Sequence, residues 1–280
     1  MPTRIAFLGP AGTYGEQAAT ELIALEQLEQ PELVPCMGLR AVVERLASGD
    51  CDNAVVPVEN SVEGGVTATL DALWSHRELC IRRALVLPIR HALVGQGPLD
   101  KVTEVLSHPQ ALAQCSGWLA SHLPQALQLP TTSTAEAARM VVGSRFRAAI
   151  ASRRAGAEHA LEELAYPVND VAGNRTRFLL LQQGERRTRG DVASLAFSLH
   201  RNAPGALLDA LACLAQLKLN MSRIESRPSK RALGEYVFFV DVDLSGEQPE
   251  ILNDLIESLE PLCEKLAHFG AYPSTTHLEI

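Results

Sequence analysis

Asp170-Val171-Ala172-Gly173-Asn174-Arg175-Thr176-Arg177-Phe178-Leu179-Leu180-Leu181 packs polar groups and a glycine directly ahead of an apolar run. A strand entered this way presents a hydroxyl, an amide and a guanidinium at its mouth, where a small anionic ligand can be gripped. Two more polar, glycine-bearing segments follow short apolar strands. Gly9-Pro10-Ala11-Gly12-Thr13-Tyr14 follows Ile5–Leu8, and Pro57-Val58-Glu59-Asn60-Ser61-Val62-Glu63-Gly64-Gly65 follows Ala54–Val56. Further strands are predicted at Cys80–Val86, His91–Val94, Val102–Leu106, Ala148–Ile150 and Phe178–Leu181, and helices beginning near Gly15, Leu39, Thr67, Pro109, Thr134 and Arg153. Ser133 with Glu136 has capping-box spacing, and Ser152 can cap the helix after it. Short apolar runs alternating with helices specify an α/β architecture up to about Leu181.

The stretch 183–191, polar, charged and flanked by glycine, reads as a solvated linker. Beyond it, strand (Ala193–Leu199), helix (Gly205–Leu217), strand (Leu219–Arg227), strand (Tyr236–Leu244), helix (Pro249–Leu259) and strand (Cys263–Tyr272) spell βαββαβ, the ferredoxin-like unit. The chain has 280 residues, room for about two ordinary domains. Its 46% hydrophobic and 21% charged residues are ordinary for a globular chain. No window holds the roughly 18 uninterrupted apolar residues of a spanning helix, and no signal-peptide pattern opens the chain, so a cytoplasmic protein is expected. The cysteines lie far apart among apolar neighbours, which predicts reduced core thiols. A formal charge of −8 with dispersed cations argues against nucleic acid, although a local arginine can still attract a small anion.

The glycines of Gly9–Thr13 can turn backbone N–H groups toward an anion or simply make a tight strand-to-helix turn; the Walker and dinucleotide spacings are absent. In Glu59-Asn60-Ser61 a carboxylate, an amide and a hydroxyl stand side by side, and an Asx turn explains the last two equally well. Glu59 beside an anion pocket has to donate a proton, shape the site or pair with an arginine. In Ser107-His108-Pro109-Gln110-Ala111-Leu112-Ala113-Gln114, Pro109 opens a helix and His108 reads as a cap or a surface residue. No metal-ligand spacing and no hydrolase-type serine, histidine and acid order stand out, so no metal or organic cofactor is expected.

Taken together, these motifs resemble the prephenate dehydratase family, and the resemblance covers nearly the whole chain. Where the family carries Gly-Pro-x-Gly-Thr-Phe-Ser, this sequence has Tyr14 and Gly15 in place of the Phe and Ser. Ser-His-Pro-x-Ala-x-x-Gln is matched position for position from Ser107, and Asn-x-Thr-Arg-Phe from Asn174. The resemblance implies a catalytic domain over 1–182 built of two periplasmic-binding-protein-like subdomains, about 1–80 with 168–182, and 81–167. The chain is expected to cross out near Cys80 and back near Pro167. It implies Thr176, Glu59, Asn60 and Gln114 as catalytic residues. It implies Gly12, Thr13, Ser61, Gly64, Gly65, Ser107, His108, Asn174, Arg177 and Phe178 as contacts to prephenate, a small dianion. It makes 192–280 an ACT domain binding L-phenylalanine through Gly205, Ala206, Leu207 and Glu225, Ser226, Arg227, Pro228, with self-association as a dimer or tetramer.

The reaction implied is decarboxylating dehydration of prephenate to phenylpyruvate under phenylalanine feedback. The competitors are arogenate dehydratase and a non-catalytic anion sensor. With the first strand at Ile5, the monofunctional form is expected. A chain ended near Arg189 is expected to keep some activity and lose its response to phenylalanine.

Overall fold

The structure, a computed structural model, describes residues 2–244 and 250–277. It contains three sheets. The first has seven strands, ordered Ser274–Thr276, Cys80–Pro88, Arg175–Gln182, Asn53–Asn60, Thr3–Leu8, Pro31–Cys36, with Gly64–Gly65 paired to Asn53–Asn60. Thr3–Leu8 lies parallel to both Pro31–Cys36 and Asn53–Asn60, as strand–helix–strand crossovers permit. Arg175–Gln182 runs antiparallel between Asn53–Asn60 and Cys80–Pro88. The second sheet orders Glu162–Ala165, Ala92–Gly95, Arg147–Ala151, Glu104–Ser107, Leu127–Pro130.

These sheets are the cores of two lobes. Because Cys80–Pro88 belongs to the first sheet, the chain leaves that lobe at Ile89–His91 rather than near Cys80. The apolar run of this strand continues through Leu85 and Leu87, both buried, so it stays in the sheet to its end. At the crossover Ile89 N–H donates to the Asn174 carbonyl at 2.8 Å, and Val168 N–H to the His91 carbonyl at 2.9 Å, so the outgoing and returning segments brace each other.

The third sheet is ordered Met221–Pro228, Tyr236–Asp243, Val192–Leu199, Cys263–Tyr272, the ferredoxin-like order. Helices Ala206–Gln216 and Ile251–Leu259 bury Ala210, Leu214, Leu252 and Leu255 against one face. Pro249, where the sequence starts the last helix, lies outside the described residues. The other face buries Ala196, Val237, Phe239 and Phe269 in one continuous cluster with Val56, Leu70, Ile81 and Leu179 of the first lobe. The C-terminal domain is thus packed on the back of the first sheet.

Three features join the two domains further. Ser274–Thr276 continues from the ferredoxin-like unit to become an edge strand of the first sheet. The stretch 183–191 is not a solvated tether. Arg187 reaches Glu26 at 3.2 Å and the Arg82 carbonyl at 3.1 Å, while Arg186 donates to the Arg77 carbonyl at 2.8 Å. Gly190 is pressed against the Tyr272 backbone, where an added Cβ would sit 2.3 Å from Tyr272 N.

Candidate active site

The mouth of Arg175–Gln182 meets the end of Asn53–Asn60, with Thr176 opposite Asn60 and Arg177 opposite Glu59. Asn60 Nδ2 donates to Thr176 Oγ1 at 2.9 Å and to Asn174 Oδ1 at 2.9 Å. Its Oδ1 accepts the N–H groups of Val62 and Glu63 at 3.0 and 3.1 Å, which makes the expected Asx turn and fixes which way the amide faces. Asn174 Nδ2 donates to Gln114 Oε1 at 3.0 Å, and Gln114 Nε2 donates to Glu63 Oε1 at 2.8 Å, across the lobes. Thr176, Asn60 and Asn174 are all buried. The four amide and hydroxyl residues singled out in the sequence, Asn60, Gln114, Asn174 and Thr176, therefore form one chain of neutral hydrogen bonds.

Sequence reasoning missed two members. Gln114 Oε1 also faces His91 Nε2 at 3.2 Å. Burial pushes the His91 imidazole below its ordinary pKa, against the opposing pull of the Gln114 bond. The ring is neutral, with Nε2–H donating to an oxygen that already serves Asn174. A lone histidine before a strand carries no sequence signal of such a role. Glu63, the second, was quoted as part of a glycine-bearing loop and supplies the carboxylate that Gln114 meets.

Strand geometry corrects Arg177, Glu59 and Phe178. Side chains alternate across a strand, so Thr176 and Phe178 face one way and Arg177 and Leu179 the other. Phe178 is buried in the first lobe's core with Ile5 and Val55 and touches no cleft. Arg177 points away from the cleft to Asp241 of the C-terminal domain and to Glu59 at 3.1 Å. The register slips between Arg177 and Phe178, leaving Val58 as the extra residue on the opposite strand. This bulge re-aims the strand end, so that Glu59 turns to the back with Arg177 while Asn60 turns to the cleft. Glu59 is consequently no proton source for Thr176.

The remaining candidates are mostly committed to the scaffold. Gly12 has φ of +80°, its N–H donates to Glu16 Oε2 at 2.8 Å, and its carbonyl accepts from Ser152 Oγ of the other lobe at 3.1 Å. A side chain there would press on Glu158 and Ala155, so this glycine permits the lobes to touch rather than offering its amide to an anion. Thr13 caps the helix Tyr14–Leu25 through the Glu16 N–H at 3.3 Å. Ser61 and Arg175 exchange two 2.9 Å bonds, bracing Asn60 against Thr176. Ser107 is fully buried and donates to the Ile150 carbonyl at 2.6 Å; His108 caps the helix Pro109–Gln114 by accepting from Gln110 N–H at 3.3 Å. Gly64 and Gly65 pair back onto Asn60 and Glu59, and Gly65 abuts Glu225 of the C-terminal domain rather than the cleft.

The two segments expected to bind an effector are separated. Gly205, with φ of +90°, caps the helix Ala206–Gln216, and Ala206 and Leu207 line a cavity of about 350 Å³ with Asn202, Arg231, Tyr236 and Glu264. Along Met221–Pro228, by contrast, Arg223, Glu225 and Arg227 face the catalytic domain, while Ser226 and Pro228 face solvent. Arg227 grips Asp71 of the first lobe with bonds of 3.1 and 3.2 Å, and Glu225 accepts from Arg223 at 2.7 Å.

Two α/β lobes that bring neutral donors around one hydroxyl, with a ferredoxin-like domain fastened behind them, define an enzyme for a small polar substrate. The prephenate dehydratase family model matches residues 5–186. The chain belongs to the prephenate dehydratase family. A prephenate dehydratase of Mycobacterium sp. (strain JLS) is 37% identical over 287 residues, covering 99% of this chain and 90% of that protein. The structure of a prephenate dehydratase from Arthrobacter aurescens in complex with L-Phe matches with a TM-score of 0.86 at 34% identity, covering 96% of this chain and 90% of that one. A structure described as GqqA, a novel type of quorum quenching acylase, matches with a TM-score of 0.80 at 26% identity, covering 97% and 98%. The activity of the family is the decarboxylating dehydration of prephenate to phenylpyruvate, a carbon–oxygen lyase reaction. Among the described residues no helix is long and apolar enough to cross a membrane.

Proposed function

We propose that this chain performs prephenate dehydration on the Thr176 hydroxyl, and that its catalytic unit spans 1–182 while 192–280 is an ACT domain answering to L-phenylalanine. The observation that carries the reading is the bond from Asn60 Nδ2 to Thr176 Oγ1 at 2.9 Å. The threonine oxygen is an acceptor in that bond, and among the described residues no acceptor engages its own proton. A hydroxyl that accepts one hydrogen bond donates another more strongly. In the reaction the bond to the ring carboxylate breaks to release CO2, its electron pair enters the ring, and the ring C–O bond breaks. The departing hydroxide gains one proton from solvent and leaves as water. Aromatisation supplies the driving force, so the protein has to hold the dianion and stabilise the charge growing on the leaving oxygen, where Thr176 donates.

With Arg177 withdrawn to the back, other cations meet the substrate carboxylates. A cavity of about 600 Å³ between the lobes is lined by Tyr14, Arg90, Ser152, Arg153 and Arg154. It adjoins the amide network through Tyr14, whose ring stands edge-on to His91 at 6.0 Å. Arg153 there pairs with Glu163 at 2.6 Å, and Arg154 bridges Glu16 at 3.0 Å and Glu158 at 3.1 Å, so a dianion entering this cavity exchanges with those carboxylates while the neutral amides orient it. The acylase reading of one structural relative finds no support in the hydrogen bonding, since among the described residues none joins a serine hydroxyl or cysteine thiol to an imidazole.

L-phenylalanine is the effector suggested by the Arthrobacter aurescens relative, whose structure is a complex with L-Phe, and the cavity beside Ala206 and Leu207, lined also by Asn202, Arg231, Tyr236 and Glu264, is the site assigned to it here. Exposed Leu208, Ile224 and Tyr236 on the same domain support self-association. The test offers prephenate and arogenate separately, with and without L-phenylalanine, to the parent and to Gly205→Val. Phenylpyruvate from prephenate is expected, inhibited by L-phenylalanine in the parent. At a residue with φ of +90° valine is strained, so the variant should keep turnover and lose inhibition. Turnover of arogenate alone, or unchanged inhibition in the variant, would refute the substrate or the effector site respectively.

A further inference from the structure

We propose that Arg177 is a positioning residue for the dehydration, and that Asp241, a carboxylate of the C-terminal domain, sets it, so that the catalytic strand pair is completed from behind. The inference rests on the reading of Thr176 as the catalytic hydroxyl.

Its first support is register. Thr176 and Asn60 face each other across two strands, and the next residue pair is Arg177 and Glu59. Adjacent residues of paired strands share one backbone path, so anchoring the Arg177 and Glu59 side chains narrows the φ and ψ open to Thr176 and Asn60 and with them the approach of Oγ1 to Nδ2. Those anchors lie in another domain. The Arg177 side chain is 13% exposed and Asp241 only 5%, so this ion pair is shielded from solvent and salt. Although burial disfavours its charge, the Asp241 carboxylate holds the Arg177 guanidinium above its ordinary pKa. Arg177 Nε is buried without a hydrogen-bond partner, a cost that a purely adhesive contact could avoid with apolar residues.

The second support is the rigidity of Asp241. Its Oδ1 accepts from Ser194 Oγ at 2.6 Å, and Ser194 Oγ lies 2.6 Å from the buried Tyr272 hydroxyl. Arg223 Nη1 stands 3.8 Å from its other oxygen, and the same guanidinium lies 3.9 Å from Glu59. A carboxylate held by three strands of the C-terminal sheet cannot follow Arg177 if that sheet shifts. Misplacement of about 1 Å is enough to cost a well-oriented reaction of the order of a hundredfold. The C-terminal domain thereby acts on the reaction through one guanidinium, with no contact to substrate.

The test measures kcat and KM for prephenate in the full chain carrying Asp241→Asn, Arg177→Lys, both together, Glu59→Gln and Thr176→Val, with Tm for each. If the ion pair positions the strand, Asp241→Asn and Arg177→Lys each lower kcat about tenfold with KM within about twofold, and the double variant is no worse than the poorer single one. Domain adhesion alone lowers Tm and leaves kcat of the folded protein at the parent value, and that result, or losses that multiply, overturns the proposal. Should Asp241→Asn fail to fold, Glu59→Gln decides: this carboxylate is 40% exposed on the same guanidinium, so its loss is tolerable. A kcat about threefold down at near-parent Tm supports the positioning role, and a parent kcat overturns it. Thr176→Val separates the two readings. If it is fully active the site itself is misassigned, whereas a dead Thr176→Val beside parent-like Asp241→Asn and Glu59→Gln removes only the clamp.

Discussion

The two sides of the strand Arg175–Gln182 are built from opposite chemistry. Toward the cleft, Thr176 is held by Asn60, Asn174, Gln114 and a neutral His91, all joined by hydrogen bonds. Toward the C-terminal domain, Arg177 is held by Glu59 and Asp241, with Arg223 and Glu225 beyond. A cleft that must accept a dianion and release hydroxide gains from donors whose orientation is fixed, and the Glu63 carboxylate at the end of this network is itself engaged by Gln114 Nε2 at 2.8 Å. The domain boundary has no substrate to accommodate. There a buried ion network specifies one docking position, since any other leaves a charge unpaired.

The largest expected effect breaks the boundary altogether. The sequence suggested that a chain ended near Arg189 would stay active, but the C-terminal sheet shares a core with Val56, Ile81 and Leu179 and supplies the partner of Arg177. Such a truncation exposes that apolar face and should yield no soluble active protein, measured as soluble fraction and turnover. A soluble, active truncated chain would mean that the boundary is adhesive only.

A smaller effect sharpens the cleft side. His91→Phe keeps a ring but removes the donor to Gln114, and is expected to lower kcat about tenfold with little change in KM; His91→Gln, which keeps an N–H donor, should recover part of it. Equal activity of the phenylalanine variant and the parent would reduce His91 to core filling.

The smallest effect concerns the acid side of stability. Glu26, with a side chain 4% exposed, receives Arg82 at 2.5 Å, Arg83 at 2.6 Å and Arg187 at 3.2 Å. Burial alone would raise its pKa, but hydrogen bonds from Arg82 and Arg83 and the charge of Arg187 outweigh it and hold the carboxyl below 4.5. With the folded pKa below the unfolded one, Glu26 contributes stability above pH 4.5 that is lost as pH falls through the folded value. Glu26→Gln should therefore have a lower Tm than the parent at pH 7, and the gap should narrow below pH 4.5. A gap independent of pH would show that only packing is lost.

The central elements of each sheet were legible because their apolar runs are long. Strands were expected at Ile5–Leu8, Ala54–Val56, Cys80–Val86 and Phe178–Leu181, and all lie inside the first sheet. The βαββαβ order was likewise readable from turn signals and periodicity. Of the strands not foreseen, Pro31–Cys36, Leu127–Pro130, Glu162–Ala165 and Ser274–Thr276 end a sheet, and the two-residue Gly64–Gly65 only pairs back onto Asn53–Asn60. An edge strand packs one side only and tolerates proline and charge, so its sequence carries a weak pattern.

At the site, motif order located Thr176, Asn60, Asn174 and Gln114, while the direction of neighbouring side chains escaped. Of the three roles offered for Glu59 the arginine pair is the one formed, with Arg177 at 3.1 Å; its turn away from the cleft was not legible because a bulge at Val58 shifts the alternation, which depends on the pairing partner rather than on local sequence. Arg177 was misread because its partner Asp241 lies on a strand of a different domain.

The account turns on the Thr176 hydroxyl, and its most direct measurement is single-turnover and steady-state kinetics of Thr176→Val and Thr176→Ser on prephenate. An interaction made in the transition state predicts that valine lowers kcat about a hundredfold or more with substrate affinity little changed, and that serine is milder. A valine variant with near-parent kcat would contradict the account and leave Thr176 a structural member of its strand.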